Sequence, residues 1–328
     1  MKYKKPILIV LGEPNSVFIE ILIKVLNKIV KKKLNYPIII IGSKDLVNSQ
    51  IKFLKIKPLF KILNLDDFKF KELKNKIYLK DIYYNFGRSF EKISFKSKNY
   101  ISNSFKMSFS YLRNNLSDII INGPVSKKHF LKNKYPGVTE YVYNESGRKI
   151  SKKPVMLIFN KNLSVSPITT HVPLKNVSKN INKNIIQENI IKINKFYKTK
   201  LKINPKIAVL GLNPHCETGL KSNEETLIIE PAIRKLKKLK IKVSGPFSAD
   251  TFFLKENIKR YNCIVGMYHD QTLTPFKTLF GFDASNITLG LPFLRISVDH
   301  GPNEKMMGKN LSSTKSLENI FNFINSIP

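Results

Sequence analysis

Cysteine is scarce in this sequence, and a hydrophobic run long enough to cross a bilayer is absent. The two cysteines, Cys216 and Cys263, cannot form a disulfide framework, so we expect a reducing compartment, the cytoplasm. A membrane-spanning helix needs about 20 consecutive apolar residues, and no stretch has them. The apolar run from Pro6 to Leu11 follows lysines, as in a signal peptide, but it is short and leads into Gly12 without a cleavage site. We therefore predict a first strand there and no membrane partner.

Negative charge and arginine are scarce as well. The chain has 57 lysines and arginines against 23 acidic residues, a formal net charge of +34, yet only six of the 57 are arginines. Such a charge suits nucleic acid or an anionic membrane surface. Recognition of phosphates and base edges favours arginine, however, because its planar fork forms paired hydrogen bonds. We interpret the lysines as a scattered, solvated surface and predict no specific nucleic-acid partner. A basic RNA- or membrane-binding protein on an enzyme scaffold is the alternative.

A glycine-rich dinucleotide fingerprint and internal repeats are also absent. Without G-x-G-x-x-G, a Rossmann dinucleotide site is not supported. The chain instead alternates apolar strand-like runs with amphipathic helical stretches, which predicts a mostly parallel α/β sheet. A chain of 328 residues is long for one hydrophobic core, so two domains are expected. The hinge is predicted near Tyr135-Pro136-Gly137, where turn residues meet.

The predicted elements follow from the same alternation. Strands are predicted at residues 6–12, 37–42, 118–122, 154–159, 163–170, 206–211, 263–268, 286–289 and 293–298. Helices are predicted at residues 18–33, 45–56, 100–116, 180–198 and 224–239. The region from 57 to 98 shows no clear pattern apart from short pieces such as Ile77-Tyr78-Leu79.

Histidine is rare, but four of the five histidines directly follow a strand-like run: His171, His215, His269 and His300. In open α/β sheets, side chains beyond the carboxyl ends of the strands converge on the ligand. Imidazole is also a common ligand of divalent metals. The first three histidines are too far apart in sequence to form a short ligand motif. Their positions therefore leave two readings open, a three-histidine metal site or separate histidines that cap strands and bind backbone.

Two carboxylates and two cations lie near these histidines in the sequence. Asp250 and Asp270 are candidates to orient a histidine or carry a proton, or simply to cap a loop. Lys277 and Arg295 stand inside apolar segments. Because a buried cation is costly unless an anion meets it, the two cations indicate a site for a polar, anionic small molecule.

Six sequence blocks contain most of these residues. They are Thr169 to Leu174 (TTHVPL), Gly211 to His215 (GLNPH), Gly245-Pro246 with Ala249-Asp250-Thr251, Tyr268 to Gln271 (YHDQ), Asn286 to Pro292 (NITLGLP) and Ser297 to Gly301 (SVDHG). In this order the blocks closely resemble the 4-hydroxythreonine-4-phosphate dehydrogenase family of vitamin B6 synthesis. With the turn at residues 122–125 (NGPV), the resemblance covers most of the chain.

The resemblance implies a metal-dependent enzyme. It assigns a divalent metal (zinc, magnesium or cobalt) to His171, His215 and His269, the third coming from the other subunit of a homodimer. Asp250 and Asp270, together with Lys277, are then expected to be catalytic. The expected reaction is the NAD-dependent oxidation and decarboxylation of 4-phosphohydroxy-L-threonine to 3-amino-2-oxopropyl phosphate.

The resemblance also implies how substrate and cofactor are bound. Substrate contacts fall to a group of four residues: Thr139, Lys277, Asn286 and Arg295. NAD or NADP is expected at the loop with Asp299, His300, Gly301 and Gly308, bound without a Rossmann fingerprint. The implied fold resembles isocitrate and isopropylmalate dehydrogenases, with two α/β/α domains around a cleft. We expect residues 1–136 with about 303–328 in the first domain, and residues 137–302 in the second, which carries the metal ligands and the dimer contacts.

The sequence departs from the family pattern at three places. The family motif Gly-His-Thr-Glu reads Gly137-Val138-Thr139-Glu140, so a substrate-contacting histidine is replaced by valine. The N-terminal loop at residues 15–18 (NSVF) lacks the usual glycines, and Pro302-Asn303 replaces small residues after His300. These differences leave open a related dehydrogenase acting on another phosphorylated four-carbon hydroxy acid.

Overall fold

A computed structural model describes residues 4–132, 134–147, 153–216, 223–281 and 283–327 of the chain. The predicted α/β class is confirmed, since strands and helices alternate along the chain. Two compact units are formed: residues 1–153 with 291–321, and residues 154–290 with 322–328. The domain boundaries expected near residues 136 and 303 stay a prediction. In the described ranges, no helix is both long and apolar enough to span a membrane.

The regular elements are numbered in chain order. The strands are β1 (Ile7–Val10), β2 (Ile38–Gly42), β3 (Ile62–Asn64), β4 (Ile77–Asp81), β5 (Ile119–Asn122), β6 (Val155–Phe159), β7 (Ser164–Thr169), β8 (Ile207–Leu210), β9 (Val243–Phe247), β10 (Cys263–Tyr268), β11 (Ser285–Leu289) and β12 (Leu294–Val298). The α-helices are α1 (Phe18–Lys31), α2 (Lys44–Phe53), α3 (Lys98–Arg113), α4 (Val138–Glu145), α5 (Val177–Asn180), α6 (Lys183–Phe196), α7 (Glu230–Lys238), α8 (Ala249–Phe252), α9 (Lys255–Ile258), α10 (His269–Phe280) and α11 (Lys315–Ser326). Short π-helical stretches occupy Lys127–Leu131, Tyr197–Leu201 and Glu225–Ile229.

The first unit contains a parallel sheet with strand order β3-β4-β2-β1-β5-β12. Every residue of β1 and β2 is buried. Strands covered on both faces read as continuous hydrophobic runs, which explains the ILIV and IIIIG sequences. Helix α1 buries one apolar face, and its acidic residue near the N-terminus, Glu20, is buried too and accepts from Lys24 at 2.7 Å.

The second unit contains strands in the order β11-β6-β7-β10-β8-β9. The pairs β7–β10, β10–β8 and β8–β9 are parallel, whereas β6 is antiparallel to both of its neighbours. Only four residues join β6 to β7. Because a parallel pair needs a crossover of a dozen or more residues, this short connection forces an antiparallel hairpin. The prediction of a mostly parallel sheet is confirmed with that exception.

Several elements were not predicted from the sequence. Strands β3 and β4 lie within the region at 57–98 that showed no pattern, and β4 is held between β2 and β3. Helices α4, α10 and α11 were also missed. Helix α10 begins at His269, directly after β10, and contains Pro275. A proline inside a helix removes a backbone hydrogen bond and normally marks a helix end, so the local signal pointed away from a helix.

Candidate active site

Four neighbouring parallel strands of the second unit are followed, at their carboxyl ends, by the three predicted metal ligands and by Asp250, which was predicted to be catalytic. Strand β7 ends two residues before His171, β10 ends immediately before His269, and β8 ends five residues before His215. Strand β9 is followed by Asp250 in α8. Because these strands are parallel and adjacent in the order β7-β10-β8-β9, all four side chains follow the same edge of the sheet.

His269 is paired with the next residue in the chain. Its Nδ1 lies 2.6 Å from Oδ1 of Asp270, in the first turn of α10. An imidazole that donates from Nδ1 to a carboxylate keeps Nε2 unprotonated and available to a metal ion. The side chain of Asp270 is 78% exposed, so solvent reaches this pair.

His215 lies opposite the acidic residue of α8. Its Nδ1 is 3.8 Å from Oδ2 of Asp250. The pKa of Asp250 lies below its usual value, chiefly through the neighbouring hydroxyl group of Ser248, with a smaller contribution from His215. His215 has a left-handed backbone, with φ 54° and ψ 14°. That conformation is uncommon for a residue with a side chain and costs energy that surrounding contacts must offset.

Three buried side chains that were not predicted as site residues hold these strand ends and turns. Thr169 Oγ1 donates to the Met267 carbonyl at 2.8 Å. Gln271 accepts from the Met267 amide at 2.6 Å and donates to the Gly211 carbonyl at 2.7 Å. Glu225 accepts from the Leu212 amide at 2.7 Å, in the turn that leads to His215. Thr169 lies two residues before His171, and Gln271 lies two residues after His269.

The predicted ligands His171, His215 and His269 are of a chemical type that binds divalent metals. Imidazole nitrogens with a carboxylate beyond the ring are a frequent arrangement at zinc sites, and both His215 and His269 have a carboxylate on the Nδ1 side. In the described part of the chain, no three His, Cys, Asp or Glu side chains are close enough together to hold a metal ion. The metal ligands therefore stay a prediction.

Two predicted substrate residues lie in the same unit as the histidines. Lys277 is half-buried in the last turn of α10, and the Gly281 amide donates to its carbonyl at 2.8 Å. Asn286 is half-buried on β11. Its Oδ1 is buried and has no hydrogen-bond partner among the described residues. A buried acceptor without a partner is costly and is expected where a ligand binds.

The other two substrate residues lie in the first unit and contact each other. Arg295 on β12 is 2% exposed. Its Nε donates to Asn122 Oδ1 and its Nη1 donates to Thr139 Oγ1, both at 2.9 Å. Burial lowers the pKa of Arg295 to about 10, and the nearby carboxylate of Glu140 opposes that change. The guanidinium stays charged at neutral pH, so the sequence's expectation of a buried cation holds for Arg295.

The predicted cofactor loop follows β12 in the first unit. The Asp299 amide donates to Ser316 Oγ at 3.2 Å, and Nδ1 of His300 lies 2.9 Å from the Gly301 carbonyl. Gly308 has φ 72°, a left-handed conformation that glycine adopts easily. An open groove of about 730 Å³ borders this loop and is lined by Gly87, Arg88, Phe90, Glu91, Lys92, Glu304 and Met307. No sequence pattern pointed to the segment at 87–92 as part of a binding site.

The burial of a carboxyl group near the end of β1 was not predicted from the sequence. Glu13 is 1% exposed, and its Oε2 accepts from Ser97 Oγ at 3.2 Å. Burial raises its pKa to about 7, hydrogen bonds from Asn15 and Ser97 oppose the shift, and Glu304 adds to it. Gly12 precedes it with φ 74°, and a Cβ there would approach the Pro124 carbonyl to 2.5 Å. Only glycine fits that close approach between the ends of β1 and β5.

Solved structures of known proteins define the class of fold. An isocitrate dehydrogenase from Methylococcus capsulatus superposes with a TM-score of 0.51 at 10% identity, covering 98% of this chain and 86% of that one. A 4-hydroxythreonine-4-phosphate dehydrogenase from Klebsiella pneumoniae superposes with a TM-score of 0.80 at 26% identity, covering 98% of both chains. The chain therefore has an α/β fold like that of isocitrate dehydrogenase, as the family resemblance implied.

Sequence comparisons then give the family. The profile described as pyridoxal phosphate biosynthetic protein PdxA matches residues 33–324. A 4-hydroxythreonine-4-phosphate dehydrogenase from Sulfurihydrogenibium sp. (strain YO3AOP1) is 38% identical over 316 residues, 94% of each chain. This chain belongs to the PdxA family. The family relationship suggested by the six sequence blocks is confirmed, and so is the predicted enzyme class, an oxidoreductase.

Proposed function

We propose that this protein oxidises and decarboxylates 4-phosphohydroxy-L-threonine to 3-amino-2-oxopropyl phosphate in vitamin B6 synthesis. Its membership of a family whose relatives are named 4-hydroxythreonine-4-phosphate dehydrogenases supports the substrate and the reaction. The single observation that carries the proposal is the set of three histidines and Asp250 following four adjacent parallel strands. The proposal includes a homodimer in the cytoplasm, without a specific nucleic-acid or membrane partner.

The reaction has two stages. The secondary alcohol of the substrate loses a hydride and a proton and becomes a ketone, and the neighbouring carboxylate then leaves as carbon dioxide while the carbon takes up a proton. A divalent metal (zinc, magnesium or cobalt) would be held by His171, His215 and the partner subunit's His269 and would supply Lewis acidity, and NAD or NADP would accept the hydride. Asp250 and Asp270 are our candidates for moving the protons, since both carboxylates are exposed and adjoin a histidine.

The chain's own cations and amides recognise the substrate in this proposal. Lys277 and Arg295 neutralise its phosphate and carboxylate, because cations bind such groups through short, charge-assisted hydrogen bonds. Thr139 contributes its hydroxyl group. The oxygen of this group already accepts a hydrogen bond from the guanidinium of Arg295. Asn286 contributes Oδ1, the buried acceptor described above. The loop with Asp299, His300, Gly301 and Gly308 contacts the nucleotide.

The alternative is a related dehydrogenase acting on another phosphorylated four-carbon hydroxy acid. Val138 favours it, because the side chain at the start of α4 offers no hydrogen bond to a substrate. The changed loop after β1 and the substitution Pro302-Asn303 favour it as well. Both candidates share the same chemistry and differ only in the group that the region around Val138 contacts.

The test follows NADH formation from 4-phosphohydroxy-L-threonine in the purified protein. Activity should disappear with a chelator and return when zinc, magnesium or cobalt is added. The variant His171→Ala should not regain activity when metal is added. The control is His129→Ala, which removes a histidine of the first unit and should behave as the unmodified protein does. Turnover that persists after complete metal removal would overturn the mechanism. Turnover only with another hydroxy acid of the same class would select the alternative substrate.

A further inference from the structure

Two turns that each carry a predicted metal ligand are joined by one side chain. Gln271 lies in the first turn of α10, two residues after His269, and is 9% exposed. Its Oε1 accepts from the Met267 amide on β10, and its Nε2 donates to the carbonyl of Gly211, at the end of β8. The turn that follows Gly211 leads to His215. Gln271 thus uses both ends of its amide to connect the two strand ends.

The turn that leads to His215 has a second buried anchor. Glu225 is fully buried, and its Oε1 accepts from the backbone amides of Leu212 and Asn213 at 2.7 and 2.8 Å. Its Oε2 accepts from Asn213 Nδ2 at 2.8 Å. Burial raises the pKa of Glu225, but hydrogen bonds from Asn213 and Leu212 outweigh burial and hold the pKa below its usual value. The carboxylate therefore stays ionised and accepts hydrogen bonds from the backbone of this turn.

Two glycines provide the space for these contacts. A Cβ on Gly211 would approach Glu225 Oε1 to 3.0 Å, and a Cβ on Gly266 would approach Gln271 Oε1 to 2.8 Å. A larger residue at either position would crowd the buried oxygen and also a second side chain, Cys216 at Gly211 and Thr272 at Gly266. The absence of a side chain at Gly211 and Gly266 therefore lets the side chains of Glu225 and Gln271 pack closely against the strand ends.

We propose that Gln271 and Glu225 are positioning residues for the turns that carry His215 and His269. The inference rests on the proposed function, in which His215 serves the metal site of its own chain and His269 serves that of the partner, so Gln271 holds one ligand of each of the two sites. Neither residue need touch substrate or metal. Gln271 fixes the distance between the two turns, and Glu225 fixes the shape of the turn that leads to the left-handed backbone of His215. Replacing a residue that orients a metal ligand without touching the metal typically changes the metal affinity by about 10- to 100-fold.

The test compares two nearly isosteric variants with a matched control. Gln271→Glu keeps the acceptor for the Met267 amide but removes the donor to the Gly211 carbonyl. Glu225→Gln keeps an acceptor for the two backbone amides but presents an NH₂ group to Asn213 Nδ2. Gln187→Glu makes the same chemical change at a buried glutamine of helix α6, in the same unit. Urea unfolding of the three metal-free proteins measures the structural cost of each substitution.

The decisive readout is the ring ¹⁵N–¹H signal of His215 in metal-free protein. We expect Gln271→Glu and Glu225→Gln to shift this signal, and Gln187→Glu to leave it in place. Unchanged His215 signals in both variants would overturn the inference. If Gln271→Glu does not fold, Gln271→Met, which lacks the donor and adds no charge, is measured in the same way.

A cobalt titration links the inference to the metal site. Co²⁺ absorption should show binding about 10- to 100-fold weaker in both variants than in the control, beyond any change in urea midpoint. Equal affinities in all proteins would overturn the inference even if the ring signals move. If the unmodified protein binds no Co²⁺ through its histidines, the proposed metal requirement fails, and the ring signals alone then decide whether Gln271 and Glu225 position His215.

Discussion

The guanidinium of Arg295 donates to Oγ1 of Thr139 at 2.9 Å, which connects the start of strand β12 to the first turn of helix α4. The residue before Thr139 is Val138, at the position where the family pattern has histidine. Arg295 and Thr139 were both predicted to contact substrate, so the changed residue adjoins a pair already joined by a hydrogen bond. This relationship makes α4 the place to test substrate choice.

Restoring histidine at position 138 should raise kcat/KM for 4-phosphohydroxy-L-threonine by about ten- to a hundred-fold. A hydrogen bond to a charged group is worth about 1.5–3 kcal/mol, and Val138 is half-buried, so the new side chain would stand beside Thr139. The measurement is a kinetic comparison of Val138→His with the unmodified protein. Asn144→His, which adds histidine to an exposed position of the same helix, is the control.

A panel of phosphorylated four-carbon hydroxy acids completes the test of position 138. If another acid is the true substrate, Val138→His should leave its turnover unchanged or lower it by crowding the site. No response with any compound would mean that the side chain at position 138 does not face the substrate.

Replacing Arg295 by methionine should abolish activity and also lower stability. Methionine has a similar size but leaves the buried Asn122 Oδ1 without its donor, so we expect the free energy of unfolding to fall by about 1–3 kcal/mol. kcat/KM should fall at least a hundredfold because the substrate anion loses its cation. Urea unfolding and steady-state kinetics measure the two effects. Arg113→Met, at an exposed arginine of the same unit, is the control; full activity in Arg295→Met would remove Arg295 from substrate binding.

Glu13 should make stability decrease as the pH rises from 5 to 8. Its pKa is raised to about 7 by burial, so the folded protein holds a proton there that the unfolded chain has already lost above pH 4.5. A group with a raised pKa stabilises the fold at low pH, and this contribution is lost as the pH rises through the folded-state pKa. Over the window from pH 5 to 8 the loss is roughly 2–3 kcal/mol.

The variant Glu13→Gln should remove that pH dependence. Its free energy of unfolding is measured with urea between pH 5 and pH 8. Over this range it should lose roughly 2–3 kcal/mol less than the unmodified protein loses. Glu72→Gln removes one exposed carboxylate from the same unit and is the control. Identical pH profiles for Glu13→Gln and the unmodified protein would show that Glu13 titrates as an ordinary carboxyl group.

Two inactive variants should restore activity when they are mixed. If the partner's His269 completes the metal site, a mixed dimer of His171→Ala and His269→Ala has one site without either histidine and one intact site. We expect activity to return to a fraction of that of the unmodified dimer, measured by NADH formation after subunit exchange. Exchange is followed independently by labelled subunits. Exchange without any return of activity would assign each metal site to a single chain.

Local sequence patterns were enough to predict the fold class and the family. The isoleucine- and valine-rich runs of β1, β2 and β5 are continuous because both faces of a parallel sheet are covered. The histidines could be located after strands because the end of a continuous apolar run marks the end of a strand in the sequence. The roles of the predicted site residues stay predictions, and so do the metal, the cofactor and the dimer.

The order of the strands was decided only by the tertiary structure. Strand β10 lies between β7 and β8, although residues 170–262 separate β7 from β10 in the chain and contain β8. Periodicity records which faces are buried and carries no information about which distant strand is the neighbour. That order brings His171, His215 and His269 to adjacent strand ends. It also explains why no spacing between the histidines was informative.

Burial of single polar groups was likewise decided by the fold. Glu13, Gln271 and Glu225 look like ordinary loop or helix residues in the sequence, because polar residues are mostly exposed. Gln271 and Glu225 are buried against the turn after β8, whose backbone forms hydrogen bonds with them, and Glu13 is buried against the remote side chain of Ser97. The sequence by itself determined which segments are strands and to which family they belong. Long-range packing determined which polar side chains are enclosed, because desolvation depends on neighbours that are remote in the sequence.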